Sequence, residues 1–138
     1  MTSTSDNILE LYPMVKSILI VGMGGFIGSV ARFLVSRHFQ LNYSTVFPWS
    51  TFAVNIIGSL LIGIIYGLSE KGEFLSPEVR LFLAVGICGG FTTFSTFSND
   101  AFLLLRQQEW FRFALYTSLS FFIGLMAVYS GRFITKLF

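Results

Sequence analysis

Long apolar runs alternate with short polar segments along this chain, and charged residues mark where each run stops. Between Lys16 and Arg37 the only charge is Arg32, which gives a first run over roughly 14–39. No charge interrupts Leu41 to Ser69, and Pro48 stands where proline fits a helix's first turn, opening a second run over about 48–69. Leu81 to Asn99 is charge-free, with Pro77 just ahead, for a third run over about 78–105. Phe113 to Gly131 lies within a fourth, over about 111–136. Each is long enough for a membrane-spanning helix, which needs about 20 mostly apolar residues. The connections, 40–47, 70–76 and 106–110, are short. The pattern predicts an all-α integral membrane protein, one four-helix domain over residues 1–138. Residues 1–12 are polar and acidic, so a frayed or interfacial terminus is expected there. They lack the basic stretch of a cleaved signal peptide. Trp49, Trp110, Tyr12 and Tyr43 fall near span ends, where amphipathic rings anchor at headgroup level.

Composition supports that class and removes others. Hydrophobic residues make up 54% of the 138 and charged ones 12%, about half the charge of an ordinary soluble domain. Mean hydropathy is +0.73. A net charge of +2 leaves no basic footprint for nucleic acid. One cysteine, Cys88, excludes a disulfide framework, and one histidine, His38, excludes a His-rich metal cage.

Four spans place both termini on one side, with Lys16, Lys71, Arg80, Arg132 and Lys136; Arg32, Arg37, Arg106 and Arg112 fall on the other. Orientation follows a Lys/Arg excess in cytoplasmic loops, and five against four is hardly an excess. Such a chain can insert either way round, and two oppositely inserted copies could then form an antiparallel pair; a small bias or one dominant loop is the plainer alternative.

Polar residues inside the apolar runs carry the functional argument. Asn55 lies six residues into the second run with Ser59 one turn on. An amide at that depth faces a bundle interior or a water-filled path, or serves as glue between helices. Tyr116, Ser120 and Gly124 recur at four-residue spacing on one face of the fourth run, with Thr117 beside them. Such hydroxyls either hand a dehydrated ion from donor to donor or bond back to their own helix.

The glycines of ILIVGMGGFIGSVAR superficially resemble a dinucleotide-binding turn, but the acid required about 20 positions later is missing: 44–52 holds none. Gly24 and Gly28, four apart, suit close approach of membrane helices instead. The segment 86–98, GICGGFTTFSTFS, is the most specific. Gly89-Gly90 followed by Thr92, Thr93, Ser95 and Thr96 makes a poor continuous helix, because glycine exposes backbone and the hydroxyls compete for it. A helix broken at membrane depth is tolerated only where its freed groups are buried or line a cavity. Freed carbonyls can hold a small cation, and freed N–H groups favour an anion. Phe91, Phe94 and Phe97, three apart, are expected on one helix face, where ring edges carry the positive side of the quadrupole. Lipid-facing packing is the alternative for such a stripe, and the interleaved hydroxyls weigh against it.

Three blocks together resemble the Fluc fluoride channels, also called CrcB, over essentially residues 15–136. GGFIGSVARF (24–33) is similar to the family's GGxxGxxxRY, with Phe33 at the Tyr position; PWSTFAVNIIGS (48–59) is similar to PxGTLxVNxxGS, with Ser50 for Gly and Phe52 for Leu. GICGGFTTFSTFS is close to the family's most distinctive segment. The resemblance implies passive fluoride export across a bacterial inner membrane by an antiparallel, dual-topology homodimer with two pores and a third helix broken mid-membrane. It implies that Asn55 contacts fluoride, that Phe94 and Phe97 are the paired pore rings, and that Ser95, Thr96, Ser98, Tyr116 and Ser120 form a polar track. It further implies a structural sodium ion at the dimer interface on the carbonyls of Gly89 and Thr92 from each subunit. Arg32 matches the motif arginine near a vestibule; a snorkelling helix-end cation is its alternative.

Rival classes make distinct demands. A small proton-coupled exporter needs a membrane-embedded carboxylate, and Asp100, near the end of the third run, is the one acid outside the termini and loops. A subunit without transport would leave Asn55 and the broken helix purposeless. No nucleophile–base pair or metal cluster suggests an enzyme.

Overall fold

The computed structural model describes residues 4–72 and 74–137, with side chains from Leu11 onward. Residues 1–3, part of the expected frayed terminus, lie outside the described residues, as does Glu73 in the second connection. The described residues are helical apart from short connections: α1 (Thr4–Asn42), α2 (Trp49–Glu70), α3 (Pro77–Arg80), a π-helical stretch (Leu81–Cys88), α4 (Gly89–Phe91), α5 (Phe94–Arg106) and α6 (Trp110–Thr135). Four helical stretches, Leu11–Asn42, Trp49–Glu70, Pro77–Arg106 and Trp110–Thr135, are long and apolar enough to cross a membrane.

Local chemistry explains most boundaries. Pro48 is the residue just before α2, and Ser76 caps α3 by accepting the Val79 N–H, with Pro77 in the first turn. The N-terminal boundary differs from expectation. Residues 4–12 form no frayed end: α1 starts at Thr4 and runs through Pro13. A proline removes one donor, and a long helix continues on its remaining bonds; Ser17 Oγ donates to the Pro13 carbonyl.

Packing joins parallel pairs. Lys16, past Pro13 on α1, meets Glu78 at 3.0 Å where the third span begins, and Gly24 and Gly28 then face 82–87 and 87–91 in turn. Likewise Gly63 lies against Val128, and Gly67 against Arg132 and Thr135, so α2 and α6 run side by side in one direction. Glu70 and Arg132 pair where these two helices end. Glycine makes both approaches possible: a Cβ on Gly24 would stand 2.6 Å from the Phe82 carbonyl oxygen, and one on Gly28 or Gly131 would overlap backbone of the facing helix.

The interior is small. Ile65, Ala84 and Cys88 form one buried cluster; Ala101, Leu104 and Tyr116 form another, wrapped by Phe47, Phe52, Phe97 and Phe113. Large apolar side chains such as Phe26, Phe33, Phe122 and Tyr129 project outward from α1 and α6. That is the surface of a chain whose solvent is hydrocarbon.

Candidate functional site

The third span is interrupted at Thr92–Thr93. Both residues are extended, with ψ 158° at Thr92 and φ −153°, ψ 120° at Thr93. A helix end leaves its last carbonyls without donors, so each needs another partner. The Cys88 carbonyl accepts both the N–H and the hydroxyl of Thr92, each at 2.9 Å. The Gly90 carbonyl accepts Arg32 Nε–H at 3.1 Å and the longer Ser29 hydroxyl at 3.5 Å. The helical donor for Gly89 would be the Thr93 N–H, and that group goes elsewhere.

It goes to Asn55. The Thr93 N–H donates to Asn55 Oδ1 at 2.8 Å, and Asn55 Nδ2–H donates to the Thr93 carbonyl at 3.1 Å. The side-chain amide thus pairs with the backbone N–H and the carbonyl of one residue, as a neighbouring strand would. One of its two N–H groups is committed to Thr93, leaving one for a ligand. Beyond the interruption Thr93 Oγ1 caps α5, accepting the Thr96 N–H at 3.2 Å and donating to Thr96 Oγ1 at 3.0 Å. The Thr92 carbonyl, which the Thr96 N–H would otherwise reach, is released as well.

Two clefts flank Thr93. One, of about 330 Å³, is lined by Asn55, Ser59, Thr92, Phe94, Phe97 and Ser120 among others. In its wall the Ser120 hydroxyl is shielded and, among the described residues, has no hydrogen-bond partner. Thr117, three residues earlier on α6, bonds back to the Phe113 carbonyl at 2.9 Å. The back-bonding alternative therefore holds for Thr117 and fails for Ser120. The other cleft, about 250 Å³, is lined by Ser29, Arg32, Ser36, Thr51, Thr93 and Thr96.

The structure sorts the sequence-picked residues unevenly. Asn55, Phe94, Phe97 and Ser120 share the first cleft. Thr96 faces the second with Arg32, while Ser95 and Ser98 are exposed on α5 and line neither. Phe91 ends α4 while Phe94 and Phe97 belong to α5, so the three do not lie on one continuous helix. Phe94 and Phe97 rings lie 5.8 Å apart, and Phe94 is 80% exposed. Tyr116 is fully buried, 5.1 Å from the Phe97 ring and 5.5 Å from Phe47. Gly89 is exposed, and a Cβ there would meet nothing nearer than the Ala84 carbonyl at 4.0 Å.

Asp100 is the residue that spacing did not select. Its Oδ2 accepts the Thr51 hydroxyl at 2.6 Å and, at a longer 3.5 Å, the Tyr116 O–H. Tyr116 thus aims its proton at a carboxylate and presents its ring to Phe97. An acid within a spanning segment is by itself a functional signal, and that signal was available in the sequence.

These features define a class: a small multi-pass helical membrane protein in which one span is interrupted at Thr92–Thr93, between two clefts. Residues 19–132 match the family model described as CrcB-like protein, Camphor Resistance (CrcB), and the chain belongs to that family. Among its relatives, the fluoride-specific ion channel FluC of Flavobacterium psychrophilum is 45% identical over 121 residues, 88% of this chain and 98% of that protein. The protein of the same name from Bacteroides fragilis is 48% identical over 126 residues, 89% of this chain and 98% of the relative. That from Chlorobaculum tepidum is 47% identical over 124 residues, with 90% and 98% covered.

Proposed function

We propose that this chain is a fluoride-selective channel that lets fluoride leave the cell passively, as an antiparallel homodimer with a pore along each copy. The observation that carries this reading is the unpartnered Ser120 hydroxyl in the wall of the cleft that also holds Asn55. A buried donor without an acceptor is costly, and an anion in the cleft would satisfy it. The names carried by the relatives, fluoride-specific ion channel, point the same way. So does the near-even count of cations on the two ends, which leaves insertion direction weakly specified.

Fluoride is small and holds its water strongly, so a selective path must replace that shell at each step. The remaining Asn55 N–H, the Ser120 hydroxyl and the ring edges of Phe94 and Phe97 are donors of modest strength. That is what conduction requires, since an ion held too well does not leave. Ser95 and Ser98, exposed on α5, extend this track where a lipid or second copy covers them. Thr96 and Arg32 serve a polar vestibule on the other side of Thr93. Tyr116 contributes its ring and a carboxylate-bound hydroxyl.

A sodium ion at the dimer interface is part of the same proposal. The carbonyls of Gly89 and Thr92 have lost their helical donors, and Gly89 is exposed on the chain's surface, so the donor set suits a hard cation held between two copies. When bound, the ion supplies a fixed positive charge that joins the copies. It takes no part in the movement of fluoride.

Liposomes loaded with fluoride or chloride test the reading. Fluoride efflux that is fast, far ahead of chloride and independent of a sodium or pH gradient is expected. Efflux driven only by a proton gradient would favour an exporter using Asp100.

A further inference from the structure

We propose that Arg32 is a positioning residue, pinning the end of the first half of the third span and so fixing the interruption on which Asn55 depends. A vestibule cation needs only charge at a certain place, and the geometry shows a more specific arrangement. In an unbroken helix the Gly90 carbonyl would accept the N–H of Phe94. The extended backbone at Thr92 and Thr93 carries that donor into α5. The replacement comes from a different helix: Arg32 Nε–H at 3.1 Å, with the Ser29 hydroxyl one helical turn earlier at 3.5 Å.

Three physical consequences follow. A cation at the C-terminal end of a helix complements its dipole, so the guanidinium favours a stop at Phe91 over continuation. The Nε–H is a directional donor on a planar group, and binding through it leaves the other N–H groups turned to the second cleft, which Arg32 also lines. Finally, α1 meets the third span here almost without side chains. A Cβ on Gly28 would stand 2.8 Å from the Phe91 nitrogen, and one on Gly90 would crowd the backbone of Gly25. The Arg32 bond and the glycine contact thus hold the same few atoms from two directions. Lysine does not reproduce this, since it has no donor at the Nε position and carries its charge on a rotating, strongly hydrated ammonium.

Only the flux arm of the test rests on the fluoride reading. Amide hydrogen exchange on the full chain in lipid nanodiscs and fluoride efflux from liposomes are compared for wild type, Arg32→Lys and Arg32→Gln. Positioning predicts that Arg32→Lys, with charge kept, raises exchange across 92–96 at least about tenfold while α6 stays as in wild type. Its efflux should fall by a similar factor, close to that of Arg32→Gln. Wild-type exchange and efflux in Arg32→Lys, with efflux lost only in Arg32→Gln, would overturn the proposal in favour of charge alone. Should Arg32→Lys not fold, Ser29→Ala decides on exchange: a rise of about threefold confined to 92–96 supports the proposal, and no rise overturns it. A flat exchange profile leaves the fluoride reading standing, and a wild-type chain that passes no fluoride leaves the exchange result standing.

Discussion

Up to Phe91 the third span lies against α1 backbone to backbone, with Gly24, Gly28, Gly86 and Gly90 leaving no room for a Cβ at the crossing. From Phe94 onward the same span is held by side chains: Thr93 caps it, Thr51 and Tyr116 donate to Asp100, and the Phe97 ring packs tilted against Tyr116. The first half therefore has few groups to vary and little tolerance for added volume. The second half has many polar groups that a solute can approach and an exposed ring at its start. The contrast shows how one span can be both a close-packed scaffold and a polar surface: the interruption separates the two.

The largest expected effect attacks the scaffold. Gly28→Leu places its side chain into the Ile87 carbonyl, which belongs to backbone and has nowhere to go. Overpacking of this kind costs about 1–3 kcal/mol or more. Loss of the monodisperse, thermally stable species in size-exclusion chromatography is expected; a normal profile would mean that the two helices slide apart freely.

Next comes the amide that bridges the two halves. Asn55→Asp removes the N–H that reaches the Thr93 carbonyl and the one left for a ligand, and adds a negative charge to the cleft. Losing a charge-assisted hydrogen bond costs roughly 1.5–3 kcal/mol, or about ten- to a hundredfold in rate, before like-charge repulsion is added. Fluoride efflux should nearly vanish while the chromatographic profile persists. Wild-type efflux would put the path elsewhere.

The smallest effect concerns the cap. Thr93→Val keeps the shape and the Asn55 pairing, which uses only backbone, but removes the Oγ1 that accepts from Thr96. A loss of about 1 kcal/mol is expected in thermal or denaturant unfolding. A loss several times larger would mean that the second half depends on its start far more than on Asp100.

The two halves also differ in how much the sequence disclosed. Four apolar runs punctuated by charge, the proline starts and the Gly-Gly-x-Thr-Thr interruption are local signals, and local periodicity carries them. The pairing of Gly24 and Gly28 with a facing helix was legible because small residues four apart have few other uses. Side-chain facing beyond the interruption was not. Counting three at a time from Phe91 runs across an extended dipeptide, so helical spacing does not define a common face for Phe91, Phe94 and Phe97. Asp100 with Thr51 and Tyr116 joins three spans at separations of 49 and 16 residues, beyond what any local spacing registers. For the same reason Thr117 and Ser120 looked equivalent on their helix, and only the tertiary surroundings separate a hydroxyl bonded to its own carbonyl from one that has none.

The two-way pairing of Asn55 with Thr93 has a further consequence for how the protein can drift over generations. Asn55 grips the backbone N–H and carbonyl of residue 93 and makes no hydrogen bond to its side chain. Those two backbone groups are present whichever amino acid occupies the position, except that proline lacks the N–H, so no substitution at 93 can compensate a loss at 55. Correlated substitution, the usual trace of two touching residues, is therefore expected to be missing at this contact. In a saturation library selected for growth in fluoride, position 55 should accept almost nothing, while position 93 accepts any residue that can still begin a helix.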